Sequence, residues 1–352
     1  MKYTFFFLSI NCVLLLFTHC NKKEPSIISP PCEAPIQKGL FDNNTIKGMS
    51  LVAPRHQWVN DPLVEMAAVN INWVALLPYN SFEIDMAHIN FDQNTWWGET
   101  IEGIEESMRL AKAQNIKTMI KPQLWSRDLW IGDMNYNTQA EWDSFHQDYT
   151  QFICYWAHVA DSLEADLFCI GTEIKHSAMN HPTYWRGLID SIRQIYSGPL
   201  TYAPNWDEYA FITFWDKLDY IGIDAYFSLV PDETPSVCAL KEAWKPVVQE
   251  IEAVQQQYNK PVLFTEWGYL TLDGCAWQTW VLEKDRGSVN INQQAQANAA
   301  QALLETFGEK PWWAGGFQWK WYSDLLLSTR SYADDYSPQN KMASQVLQEM
   351  YE

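Results

Sequence analysis

The sequence predicts an α/β chain folded as a single (β/α)8 TIM barrel. Three observations carry this expectation. Eight short apolar runs recur between Gly48 and Trp319. Amphipathic stretches at helical spacing separate most of them, which calls for parallel pairing. No glycine-rich phosphate loop follows the first run, as a doubly wound nucleotide-binding sheet would require.

The runs are Gly48–Ala53, Trp73–Pro78, Lys117–Pro122, Leu167–Thr172, Leu200–Pro204, Tyr220–Ala225, Val262–Thr265 and Gly315–Trp319. The clearest of them, such as Val262, Leu263 and Phe264, are continuously apolar, as strands covered on both faces are. The helical stretches are Thr100–Gln114, Glu141–Leu163, Tyr184–Tyr196, Ala239–Tyr258 and Gln293–Phe307. In the first, Ile101, Ile104, Met108 and Leu110 recur at helical spacing. No repeat, low-complexity block or second boundary interrupts residues 39–352, which read as one domain.

Residues 1–20, MKYTFFFLSINCVLLLFTHC, have the form of an export signal, with Lys2, an apolar stretch to Phe17 and then Cys20. The stretch is short and early for a membrane span. Cys20 followed by Asn21, Lys22 and Lys23 resembles a lipoprotein-type cleavage site, although His19 stands where a small residue is usual. The expectation is an exported chain lipidated at Cys20 and anchored to a bacterial membrane, on the periplasmic or cell-surface side. Without lipidation it would be secreted. Residues 21–38, with Pro25, Pro30, Pro31 and Pro35, read as a polar tether.

Hydrophobic residues make up 47% and charged residues 19%, which is ample for a large core. Formal net charge is -19, with 43 acids against 24 bases. That excludes the basic footprint of a nucleic-acid partner. It also disfavours anionic membranes, apart from a lipid anchor, and suits a neutral ligand. The 19 Trp and 17 Tyr serve a core, and are also the rings that stack on sugar faces. No CxxC or Cys/His spacing suggests a metal among Cys32, Cys154, Cys169, Cys238 and Cys275. Cys154 and Cys169 read as small buried hydrophobes. Cys238 and Cys275 fall in loops after successive strands, where a disulfide is open to them in an oxidising compartment.

The chemistry is legible at strand ends. In Pro261–Leu270, PVLFTEWGYL, an apolar strand ends on Glu266. In Asp166–Lys175, DLFCIGTEIK, another ends on Glu173. A carboxylate in such a place is costly to bury without partners. Either one alone would read equally well as a structural Glu held by an Arg or by backbone donors. Two, delivered to the rim where a barrel collects its chemistry, suggest the carboxylate pair of a glycosidase. Such a pair needs no cofactor and no metal, and the rim shows neither a His cluster nor a Ser–His pair.

Other rim residues follow from the same placement. Tyr226, after the sixth strand, is positioned to orient Glu266; a core Tyr would read alike. Trp319 and Trp321, two apart in a strand, face one side and suit a floor under the sugar, or plain packing. Tyr79, Lys121, Asn205 and Trp206 are candidates for sugar contacts, with a salt bridge as the other reading of Lys121. Trp96, Trp97 and Trp125 lie on loops after strands two and three and suit outer sugar platforms. Asp207 and Asp224 order the mouth. Arg55 and His56 follow strand one with no assigned role.

The resemblance to a family is carried by NWVALLPY (72–79), WWGET (96–100), KTMIKPQLW (117–125), FCIGTEI (168–174), WRGLIDSIRQIYSGPLTYAPNWDEY (185–209), FWDKLDYIGIDAYF (214–227), PVLFTEWGY (261–269) and GGFQWKWY (315–322). These stretches span the barrel, and the chain resembles glycoside hydrolase family 113, the β-mannanases, within clan A. The resemblance implies Glu173 as acid/base, Glu266 as nucleophile and retention of configuration. Most of the clan places Asn just before the acid/base Glu, against the sugar 2-hydroxyl. Here that position is Thr172, and Asn205 is the candidate replacement. The implied activity is a retaining endo-β-1,4-mannanase on β-mannan, glucomannan or manno-oligosaccharides. An exo-acting β-mannosidase, a retaining hydrolase of another β-glycan and a non-catalytic glycan-binding barrel lipoprotein are the alternatives. Retention of both Glu and Tyr226 speaks against the last.

Overall fold

The computed structural model describes residues 35–90, 95–323 and 332–352. The leader, Cys20 and the tether as far as residue 34 lie outside the described residues. Eight strands form one parallel sheet: β1 Ile46–Val52, β2 Trp73–Leu76, β3 Lys117–Ile120, β4 Leu167–Thr172, β5 Leu200–Ala203, β6 Ile221–Asp224, β7 Val262–Trp267 and β8 Trp313–Tyr322. The spatial order is β5-β4-β3-β2-β1-β8-β7-β6. A parallel bridge between Asn205 and Asp224, just past β5 and at the end of β6, brings the two edges together. The sheet is therefore nearly closed into the expected (β/α)8 barrel.

Side-chain alternation divides the strands between two cores. Trp73, Ala75, Met119, Leu167, Cys169, Ala203, Leu263 and Phe317 cluster inside the barrel. The intervening Val74, Leu76, Ile120, Phe168, Ile170 and Phe264 join the larger core beneath the helices. All of β4 and β7 is buried, which explains their continuous apolar runs.

The helices begin where the sequence supplies caps. The Thr100 side chain accepts from the Gly103 N–H at the start of Ile101–Ala113. Thr138 and Glu141 form a reciprocal capping box at the start of Gln139–Ser162. The helix expected at 184–196 is Pro182–Arg193, entered through Pro182, and a short helix, Lys175–Asn180, precedes it. A small accessory sheet, in which Tyr79–Glu83 lies between His88–Ile89 and Gln123–Trp125, extends the rim beyond β2 and β3. These segments are too short to announce themselves by periodicity.

Two expectations are corrected here. Cys238 is disulfide-bonded, but not to Cys275, which is a free thiol packed into the large core. The alternation along β8 is also broken. Met49 pairs with Gln318 and Leu51 with Trp321, so β8 spends three steps where β1 spends two. The extra residue reverses which face the following side chains take.

Gly315, paired with Ile46 across the β1–β8 seam, has φ +116°, and a Cβ there would meet the Ile46 carbonyl oxygen at 2.2 Å. Gly315→Ala is expected to destabilise by about 2 kcal/mol, the scale of a backbone forced from its favoured region. Gly187, in mid-helix with nothing within 4 Å of its would-be Cβ, is the control. Gly187→Ala should stabilise by about 0.5–1 kcal/mol. Urea midpoints of both variants check the pair.

Candidate active site

The C-terminal ends of the strands open into a cleft of about 2350 Å³. Pockets for a single small ligand are typically ~300–1,000 Å³, so this cleft has room for a chain of several units. Glu173, Glu266, Tyr79, Asn205, Tyr226 and Trp319 line it from the strand ends. Trp96, Trp130 and Trp206 line it from the loops, Trp125 from the accessory sheet and Trp280 from the short helix Thr279–Leu282.

Glu266, near the end of β7, is 7% exposed and its carboxylate is held on both oxygens. Oε1 accepts from the Lys121 ammonium and, at 3.1 Å, from Gln123 Nε2. Oε2 accepts from the Tyr226 hydroxyl at 2.8 Å. All three donors favour the charged carboxylate.

Lys121 is not a sugar-binding group. It is 0% exposed, and its ammonium lies between Glu266 and, at 3.5 Å, Asp224 Oδ2. Burial alone would depress this ammonium, but Asp224 and Glu266 hold its pKa above the ordinary lysine range. The salt bridge, the other reading of this Lys, is what the structure forms. Asp224 is likewise fully buried below the rim. Asp207 is at the mouth, where it pairs with Lys175 at 2.8 Å.

Glu173 follows β4 with φ 54°. Its N–H donates to the Ala203 carbonyl at 2.7 Å, tying the turn to β5. No ion pair reaches its carboxyl among the described residues; Trp130 Nε1 donates to Oε2 at 2.7 Å. Burial, and then the nearby charge of Glu266, pushes its pKa up to about 8, against the pull of Trp130.

The other expected residues divide. Asn205 lines the cleft; its Oδ1 accepts from the Trp206 N–H at 2.9 Å. Trp206 stacks on Trp280 with ring centroids 5.4 Å apart and planes 18° apart. Trp125 is exposed at the rim. Arg55 and His56 lie on the wall, with the Arg55 guanidinium 4.7 Å above the Trp96 ring. Trp97 is not a platform: it packs edge-on against Trp58, and Trp96 takes the wall position. Trp321 is not part of the floor either, because the extra residue in β8 turns it into the large core.

Sequence reasoning missed Trp130 and Trp280. Trp130 sits in a loop and Trp280 in the four-residue helix Thr279–Leu282, neither long enough to show periodicity, and only the fold brings them to the cleft. Gln123 was visible at a strand end without a role.

The family model of Glycoside Hydrolase Family 113 matches residues 53–341. Among solved structures the chain resembles a family 113 β-1,4-mannanase complex at 23% identity, with a TM-score of 0.74, over 88% of this chain and 99% of that one. It resembles the β-mannanase of Alicyclobacillus acidocaldarius at 24% identity and TM-score 0.74, over 89% and 99%. A β-glucuronidase from Faecalibacterium prausnitzii is similar at 16% identity and TM-score 0.60, over 87% of this chain and 48% of that one. At these identities the structural likenesses speak to the fold. No curated protein matches the chain.

The Glu173 environment gives a testable pH dependence. Folding raises its pKa from the ordinary 4.5 to about 8. Between those values the folded state holds the extra proton, so this residue's contribution to stability falls as pH rises through the window. Glu173→Gln should flatten the fall in urea midpoint between pH 4.5 and 8 relative to the parent. Trp130→Phe removes a donor that favours the anion, so carbon-13 NMR should find Glu173 titrating higher still.

Proposed function

We propose that this chain, which belongs to glycoside hydrolase family 113, is a retaining β-1,4-mannanase that cleaves within chains of mannan, glucomannan or manno-oligosaccharides. The observation that carries this reading is the contrast between two strand-end carboxyls on one cleft. Glu266 is held by a cation and two neutral donors. Glu173 has its pKa pushed up to about 8. One is prepared to attack as an anion and the other to donate a proton.

In the first step Glu266 attacks the anomeric carbon as the glycosidic bond breaks. The leaving oxygen keeps the bonding electrons and takes the proton from Glu173. Glu266 is now an ester, and its charge no longer raises Glu173, which becomes the base for water. Water then breaks the ester with a second inversion, so configuration is retained. The cleft's size supports action on a chain, as do the rings that line it, Trp96, Trp125, Trp130, Trp206 and Trp280. Asn205 is the group proposed to meet the axial 2-hydroxyl of mannose, because its Nδ2 makes no hydrogen bond among the described residues. Relatives of similar fold that are described as β-mannanases support the choice of sugar.

Activity on mannan, glucomannan, xylan and cellulose, with product sizes followed over time, tests the substrate and the mode of cleavage. Short oligosaccharides from mannan at early times are expected; release of mannose alone would replace the endo reading with an exo one. Glu266→Ala should abolish turnover on every substrate. Glu173→Ala should still be glycosylated by an aryl β-mannoside with a good leaving group, and azide should restore its rate, yielding the β-mannosyl azide. Rescue of Glu266→Ala with that retained product, and not of Glu173→Ala, would reverse the roles.

We also propose, from the leader alone, that Cys20 is lipidated and holds the enzyme on a bacterial membrane. Cys20→Ala should move the enzyme from the membrane to the soluble fraction; an unchanged distribution would exclude the anchor.

A further inference from the structure

The Lys121 ammonium raises a problem that the double displacement makes acute. It is withdrawn from water, and its ion-pair partners among the described residues are Glu266 Oε1 and Asp224 Oδ2. When Glu266 becomes an ester it loses its charge, and a buried ammonium left without an anion is costly. The nearby Cys169 cannot replace it, since burial pushes that thiol up to about 12 and keeps it neutral.

Asp224 is built into the place where a second anion is needed. It ends β6, paired in register with Glu266 on β7, so one rung of the sheet delivers both carboxyls to one lysine. The Thr265 hydroxyl donates to Oδ1 at 2.7 Å and fixes the group. Oδ2 makes no hydrogen bond among the described residues and stands 3.5 Å from the ammonium.

We propose that Asp224 is a positioning residue that acts through Lys121: it is the counter-ion of the ammonium while Glu266 is esterified. This rests on the retaining mechanism proposed above. The charge balance is closed. Glycosylation moves one negative charge from Glu266 to Glu173, which gives its proton to the leaving oxygen. Lys121 keeps its proton throughout and turns from Glu266 to Asp224. When water breaks the ester, the carboxylate reappears beside a cation already in place. Burial first, and then the charges of Glu266 and Glu173, hold Asp224 well above the usual aspartate range against the pull of Lys121. Esterification removes the Glu266 charge, the larger of these two contributions, while Glu173 gains the smaller, so the net change favours the Asp224 anion.

The test uses an activated 2-deoxy-2-fluoro-β-mannosyl fluoride, which esterifies the nucleophile and hydrolyses slowly. Asp224→Asn keeps the shape and cannot hold the charge. It should be labelled at Glu266 about 100-fold more slowly than the parent, the scale of removing one partner from a buried ion pair. Its affinity for unreactive manno-oligosaccharides should be unchanged. Lys121→Met with Asp224→Asn should be labelled no more slowly than Lys121→Met alone, because without the cation no counter-ion is needed. Equal labelling of Asp224→Asn and parent, or additive losses in the double variant, would overturn the proposal. Isotope-edited infrared spectroscopy of the trapped parent enzyme, labelled at aspartate carboxyls, reads the same point without a variant. An Asp224 carboxylate band supports it; a protonated Asp224 in the ester overturns it, even if Asp224→Asn fails to fold. Failure of the parent to be labelled at Glu266 at all is a distinct result, which removes the retaining mechanism and this inference with it.

Discussion

An ammonium buried below the cleft is the constraint around which the strand ends are arranged. Lys121 leaves β3, and the carboxyls that satisfy it leave β6 and β7. The three strands are far apart in the chain and are brought to one point by the nearly closed sheet. An ammonium suits the position better than a guanidinium. It is a compact charge with three donors, whereas a planar fork would need more acceptors in one plane. With the cation in place, the Glu266 carboxyl at 7% exposure has a charged partner, where burial of a carboxylate without one would be costly. The Tyr226 hydroxyl and Gln123 amide then fill the remaining acceptor sites.

The features that were legible in the sequence are those imposed by periodicity and by the strand-end rule. Val262–Phe264 and Leu167–Ile170 are apolar because both faces of their strands are covered, and a glutamate that ends such a run must lie at the rim. Side-chain direction was legible only where the alternation is unbroken. Trp319 and Trp321 would share a face in a regular strand, but β8 gains a residue against β1 between Gln318 and Trp321. Nothing local in GGFQWKWY records that register slip, since it is a property of the pairing. Trp96 and Trp97 pose the same difficulty in a loop. The short 3-10 turn Trp97–Glu99 sets which indole reaches the wall, and two adjacent tryptophans carry no sign of the choice. Lys121 was ambiguous for another reason: a lysine after an apolar strand suits either a mouth or a buried pair, and the partners that decide lie 103 and 145 positions away, at Asp224 and Glu266.

The two glutamates enter the cleft from stretches of the same form, an apolar strand ending in Thr-Glu, and their difference follows in part from how the nearby cations are distributed. Lys121 is claimed by Glu266 and Asp224. The other lysine on that side, Lys175, lies two residues beyond Glu173 yet is spent elsewhere, 2.8 Å from Asp207 and 3.9 Å from the buried Glu208. Glu173 is left with an indole N–H, a neutral donor that opposes the desolvation only in part. Asp207 and Glu208 thus occupy Lys175, and Glu208 adds its own repulsion to Glu173. A carboxyl in that position holds its proton more tightly while the Glu266 charge is beside it. The contrast on which the proposed roles of acid and nucleophile rest therefore follows from which carboxylates hold the lysines, and the glutamates' own sequence settings do not determine it.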